Sequence, residues 1–225
     1  MENKKFIFVT GPSESGKSGG INYIIDNYSE NIKHLKIRNI FPEVYKEANS
    51  ELEFQEWYDY EYEHNFEQFW DNYIKKASEM SGDKDVVIMD TMYGLKSIQY
   101  LYSKLGDNLG VLYIDADLEN RIMREYTRLR TDSVRSSRKA DLTVTIEDVT
   151  KKTMEKDKAK RKKETFEYKD LVYGEGGIVV GNRKVEESFS YVIENNGTEE
   201  ELYRSLDEYV IKVLLSNKEK KLIKK

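Results

Sequence analysis

Residues Gly11-Pro12-Ser13-Glu14-Ser15-Gly16-Lys17-Ser18 match the spacing G-x-x-x-x-G-K-[ST] at every fixed position. A turn of this composition wraps backbone N–H groups around a polyphosphate, with glycine where a side chain would collide or φ would be strained. A helix opening at the turn adds its partial positive charge to the same anion. In that chemistry Lys17 reaches the β- and γ-phosphates and the Ser18 hydroxyl ligates Mg²⁺. Gly11, Ser13, Glu14, Ser15, Gly16, Lys17, Ser18 and Gly19 are therefore expected to bind ATP.

Two further groups suit phosphate chemistry. Asp90 ends the apolar run Val86-Val87-Ile88-Met89, so its carboxylate is expected at the carboxyl edge of a sheet, beside the cradle. There it would share Mg²⁺ with Ser18 or orient an acceptor hydroxyl. Arg121, Arg124 and Arg128 recur at three- and four-residue spacing, which puts them on one face of a helix. Arg130, Arg135, Arg138 and Lys139 follow in a polar stretch that reads as a lid. A phosphoryl-transfer enzyme needs such charges on the migrating group and needs water excluded. The motifs of a small GTPase are absent, because Asp90 to Gly94 is one residue too long for D-x-x-G and no N-K-x-D occurs. Lys156 to Lys163 reads as a solvated helical face laced with Glu155 and Asp157.

Alternating elements must position these residues. The run Lys5–Thr10 reads as a buried strand, 18–27 as a helix, and His34–Ile37 as a second strand closed by Phe41-Pro42. Residues 43–80 read as helical, with Phe54, Tyr58, Tyr62, Phe66, Phe69 and Tyr73 at helical spacing. That pattern favours core packing over a stacking platform built on Trp57 or Trp70. Strands are expected at 86–90, 111–114 and 191–194, with helices at 95–105, from 118, and over 146–163. A hairpin is expected around Ile178-Val179-Val180, and Thr198 with Glu201 forms a capping box that opens a last helix, to about 215. Strands alternating with helices imply an α/β fold with helices on both faces of a mainly parallel five-stranded sheet.

The chain has 225 residues, with 37 basic and 42 acidic side chains and a net charge of −5. Seventeen Tyr, eight Phe and two Trp supply large buryable surfaces, so one domain with a core is expected. Without Cys there is no disulfide, thiolate site or Cys nucleophile, and two distant histidines, His34 and His64, make a zinc site improbable. No apolar run approaches the roughly 18–20 residues of a membrane span, and the N-terminus is wrongly built for a signal peptide, so a cytoplasmic location is expected. Net acidity weighs against a duplex-DNA binder.

The chain resembles the nucleoside-monophosphate kinase group of P-loop proteins, and most of all dephospho-coenzyme A kinases and their uncharacterised relatives. Three segments carry the resemblance: FIFVTGPSESGKS, VLYIDADLENRIMRE continuing into TRLRTDS, and YVIENNGTEEELYRSLDEYV. With Val86–Asp90 they cover about half the chain. The resemblance implies a three-layer P-loop NTPase fold, spanning residues 1–217 as one domain, with an acceptor-side insert at 43–80, a lid at 128–145 and a frayed basic tail at 218–225. It implies that Arg121 lies against the ATP base, that Arg124 touches phosphate, and that the turn Asn195 to Gly197 lines the adenine pocket. Lys36 and Arg38 fall where such kinases grip the acceptor's phosphate, and Tyr93 and Arg130 are further acceptor candidates. Gly19-Gly20 depart from the family pattern, no Asp-x-Asp follows the second strand, and 43–80 matches nothing in it.

The expected function is ATP- and Mg²⁺-dependent transfer of a phosphoryl group to a small nucleotide-like acceptor. Lys17, Asp90, Arg124 and Arg128 are the candidate catalytic residues, and Ser18 and Asp90 the candidate metal ligands. The alternative is an ATP-binding switch or accessory ATPase acting through a protein or nucleic-acid partner.

Overall fold

The structure, a computed structural model, describes residues 4–90, 94–131, 139–162, 166, 179–180, 183–184 and 190–214. Five strands form one all-parallel sheet: β1 (Lys5–Thr10), β2 (Ile32–Lys36), β3 (Val86–Asp90), β4 (Leu109–Asp115) and β7 (Tyr191–Glu194), in the order β2-β3-β1-β4-β7. The short strands β5 (Val179–Val180) and β6 (Arg183–Lys184) pair antiparallel, as the expected hairpin requires. Helix α1 (Lys17–Tyr28) carries the chain from β1 toward β2, and α6 (Leu118–Leu129) and α7 (Ile146–Arg161) lie between β4 and β7. The connections thus diverge on either side of β1 and β4, and a crevice opens at their carboxyl ends, where open α/β sheets bind ligands.

Both faces of the sheet are buried, and alternate strand residues supply two cores. Phe6, Phe8, Val87, Met89 and Val111 pack beneath α2 (Ile37–Ala48), α3 (Phe54–His64), α4 (Phe66–Met80) and α5 (Leu95–Leu105). Ile7, Val9, Ile88, Leu112 and Ile114 pack against α1 and α8 (Glu199–Tyr209), giving three layers. Thr198 and Glu201 cap α8 reciprocally, as their spacing predicts, and five π-helical residues, Val210–Leu214, extend it. Thr145 and Asp148 build a second capping box at the start of α7.

Two boundaries differ from expectation. Ile37 ends no strand but begins α2, and Pro42 lies inside that helix rather than closing the strand. Pro42 removes only its own N–H from the helix, and Ile40, Phe41 and Val44 bury the same face around it. The 43–80 region is helical as expected, divided among α2, α3 and α4, and its two indoles are core: Trp57 and Trp70 are 4% and 3% exposed. Phe41 stacks on Phe69 at 4.8 Å, and Trp70 meets Tyr73 edge-on at 5.2 Å. No substrate can stack on the two indoles.

The cradle is held to the sheet by contacts too close for a side chain. Gly11 has φ +131°, and a β-carbon on it would stand 2.2 Å from the Ile114 carbonyl oxygen. Of the Gly19-Gly20 pair, Gly20 alone has a steric account. A β-carbon on Gly20 would sit 3.1 Å from a Leu206 methyl, whereas one on Gly19 would meet nothing. Gly11→Ala is expected to cost about 3 kcal/mol or more, and Gly19→Ala to stabilise by about 0.5 kcal/mol. Urea-denaturation midpoints of the two variants check the pair.

Candidate functional site

The turn between β1 and α1 is shaped by three residues at positive φ: Gly11 (131°), Glu14 (61°) and Gly16 (97°). Ser15 is fully buried beneath it, and its carbonyl accepts a 2.9 Å hydrogen bond from Asn195 Nδ2. The same amide nitrogen lies 2.4 Å from where a Gly16 β-carbon would be, so this position too excludes a side chain. Lys17 folds back over the turn, donating to the Gly11 carbonyl (3.1 Å), the Pro12 carbonyl and Ser15 Oγ (3.4 Å). Ser18 is exposed in the first turn of α1.

Helix α7 closes over this cradle, which corrects the expectation of a solvated lysine face. Lys160 Nζ donates to the Gly11 carbonyl at 2.7 Å, and Lys156 Nζ pairs with Glu14 at 2.7 Å. Asp157 holds Arg121 through two bonds, 2.9 and 2.7 Å. The buried residues of α7 are Val149 and Thr153, and Lys156 and Lys160 continue their stripe at four-, three- and four-residue steps. That stripe is the sequence signal by which the two lysines could have been found.

The arginines of α6 reach different parts of the site. Arg121 is 4% exposed and donates to the Ala116 carbonyl (3.0 Å) and the Ser13 carbonyl (3.3 Å) besides Asp157. Arg124, not Arg121, reaches the turn after β7, donating to the Asn195 carbonyl at 2.8 Å and its Oδ1 at 3.3 Å. The Gly197 carbonyl accepts a longer bond from it, at 3.5 Å. Arg124 Nη1 is buried without a hydrogen-bond partner, and burial lowers this guanidinium from its ordinary value. Arg128 pairs with the buried Glu125, and its charge acts on Glu14. Arg130 donates to the Leu142 carbonyl at 2.8 Å, tying the end of α6 to the segment that leads into α7. Tyr93, Arg135 and Arg138 lie outside the described residues.

On the other side of β1, Asp90 stands in register with Val9 and with Lys36. Lys36 and Arg38 are both exposed near this edge. His34, given no role by the sequence, brings Nε2 to 3.4 Å from Asp90 Oδ1. That separation suits ion-pair attraction once the imidazole is protonated, but the buried Nε2 makes no hydrogen bond. Thr10 Oγ1 at the end of β1 is likewise buried and unpartnered.

Charge in the cradle is unbalanced. Burial pushes the Lys17 ammonium well below its ordinary value, and Lys160 beside it adds to the fall against the opposing pull of Glu14. Burial lowers Lys160 as well, with Arg121 in the same direction and Asp157 and Glu14 against it. Burial would raise the Glu14 carboxyl, but Lys156 first, then Arg128 and Lys17, outweigh it and hold it low.

No protein-family model matches the chain, and no curated protein matches it. Among solved structures it is similar to an unliganded sugar kinase from Janibacter, at 10% identity over 94% of this chain and 96% of that one, with a TM-score of 0.46. It is also similar to TT1252 from Thermus thermophilus, at 16% identity over 95% and 100% of the chains, with a TM-score of 0.49. Both likenesses are remote, and the functional reading rests on the site itself. Among the described residues no helix is long and apolar enough to cross a membrane.

A lysine whose value is lowered on folding binds fewer protons in the folded chain than in the unfolded one, between the lowered value and the ordinary one near 10.5. Stability therefore rises with pH across that window. Above about 10 the buried Tyr73 and Tyr209, raised by burial, act in the opposite sense. The denaturation midpoint of the nucleotide-free protein is expected to climb between about pH 7.5 and 9.5, and less steeply in Lys17→Met. A level or falling midpoint in the unaltered protein contradicts the assigned charge crowding.

Proposed function

We propose that the protein is a P-loop kinase that transfers the γ-phosphoryl group of ATP, with Mg²⁺, to a small nucleotide or nucleotide-like acceptor. The observation that carries this reading is the turn at Gly11–Ser18. It has a lysine folded over backbone groups, a helix opening beneath it, and a cationic wall from α6 and α7 beside it. Crowded ammonium groups in a turn that excludes side chains fit a polyanion, because phosphate oxygens would satisfy the donors now bound to carbonyls.

The residues have separate tasks. Lys17 stabilises charge on the β- and γ-oxygens, and backbone N–H groups of Ser13 to Ser18 cradle them. The Ser18 hydroxyl and the Asp90 carboxylate are hard oxygen donors suited to Mg²⁺, which when bound neutralises phosphate charge. Asp90 alternatively orients the acceptor, whose oxygen bonds to the γ-phosphorus as the bond to the bridging oxygen breaks and ADP leaves. Arg124 serves the base side with Asn195 and Gly197, and Arg128 the phosphate side. Lys36, Arg38 and Tyr93 are assigned to the acceptor. Catalysis of this kind is positioning and electrostatics, and no covalent nucleophile is required.

Incubation with γ-labelled ATP, Mg²⁺ and a panel of nucleosides, mononucleotides and dephospho-coenzyme A is expected to place label on one acceptor. Lys17→Ala should fold normally and lose at least about 100-fold in transfer rate. Label released only as free phosphate moves the reading to a switch or accessory ATPase, and unaltered turnover in Lys17→Ala removes the cradle from the mechanism.

A further inference from the structure

Five cations surround the cradle, and three of them are matched: Arg121 by Asp157, Arg128 by Glu125 and Lys156 by Glu14. Lys17 and Lys160 are not matched. Both donate to one carbonyl oxygen, that of Gly11, at 3.1 and 2.7 Å, and neither forms an ion pair among the described residues. Two ammonium groups brought together on a neutral oxygen repel one another, and burial weakens the solvent's screening of that repulsion. The helix that delivers Lys160 buries little to offset it. Its buried residues are Val149 and Thr153, and the Thr153 hydroxyl has no hydrogen-bond partner. Helix α7 is therefore held over the cradle chiefly by charged side chains.

We propose that Lys160 is a second phosphate-binding lysine, carried by α7, and that the polyphosphate of a nucleoside triphosphate clamps this helix onto the cradle by bridging Lys160 to Lys17. The proposal rests on the phosphate-binding reading of the turn and extends it to a residue in a different part of the chain. An anion between the two ammonium groups turns a repulsion into two charge-assisted hydrogen bonds. Lys156 completes the arrangement by neutralising Glu14, whose carboxylate would otherwise face the incoming phosphates.

The role carries an unusual sign. A lysine that only fastened α7 would stabilise the nucleotide-free protein, whereas a lysine waiting for an anion destabilises it. Lys160→Gln keeps a donor for the Gly11 carbonyl and removes the charge, and Lys160→Met removes both. Calorimetric titration of the full chain with Mg-ATP and with inorganic tripolyphosphate is paired with melting of the nucleotide-free protein. Both variants are expected to bind each probe about 10- to 100-fold more weakly, with a nucleotide-free Tm equal to or above that of the unaltered protein. Affinities within twofold of the unaltered protein overturn the proposal and leave the kinase reading intact. A Tm that falls in both variants along with affinity makes Lys160 a structural fastener and overturns it too. Binding of neither probe to the unaltered protein overturns both readings. Binding of tripolyphosphate through Lys160 without phosphoryl transfer to any acceptor sustains the clamp and rejects the kinase.

Discussion

Asn195 ties together the elements that frame this site. Its backbone N–H donates to the Asp115 carbonyl at 2.8 Å, extending the β4–β7 pairing by one residue past the strands. Its side-chain amide donates to the Ser15 carbonyl in the floor of the cradle, and its two oxygens accept from Arg124. One buried residue, through its backbone and its side chain, thereby links the turn after β1, the end of β4, the turn after β7 and the arginine face of α6. The closeness of that junction is also why Gly16 can carry no β-carbon. A buried amide with its donor and acceptor both used is a demanding device, since losing either partner strands the other. It gives the turn a fixed back wall against which the charged groups of α6 and α7 are set.

The front of the cradle is built on the opposite principle. Lys17, Lys156, Lys160, Arg121 and Arg128 crowd a turn that supplies too little negative charge to balance them, and the carboxylates that are present lie in pairs at its margin. Folding energy from the two apolar cores and the parallel sheet has to carry this unfavourable electrostatics. Binding sites often hold such unrelieved interactions, because the ligand relieves them on arrival. The edge at Asp90 shows a milder form, with the His34 Nε2 and Thr10 Oγ1 atoms buried without a hydrogen bond. The aromatic helices α2 to α4 contribute the core beneath that edge rather than a ligand-stacking surface.

Much was legible in the sequence because it was local. The cradle is a contiguous run whose strand, turn and helix are read from neighbours in the chain, and all five parallel strands lie at or overlapping the runs expected to form them. Residue order did not reveal that α2 starts at Ile37, since a β-branched residue after a strand continues the strand pattern until the packing of Ile40 and Phe41 decides otherwise. The placement of the α7 lysines is hidden from the sequence for a related reason. Spacing states which residues share a helical face, and composition then suggested that a face with Lys156 and Lys160 was solvated.

The amino-acid sequence by itself determined a glycine-bounded turn between a strand and a helix, a parallel α/β sheet, an acidic residue at the end of β3 and an arginine face on α6, all of which follow from short-range spacing. Only the tertiary structure decided that Arg124 rather than Arg121 meets the turn after β7, that Asn195 backs the cradle, that His34 reaches Asp90 and that Lys160 stands beside Lys17. Each of these pairings joins elements far apart in the chain. Whether a charged helical face meets water or an anion site depends on what packs across from it, which periodicity along one helix does not encode.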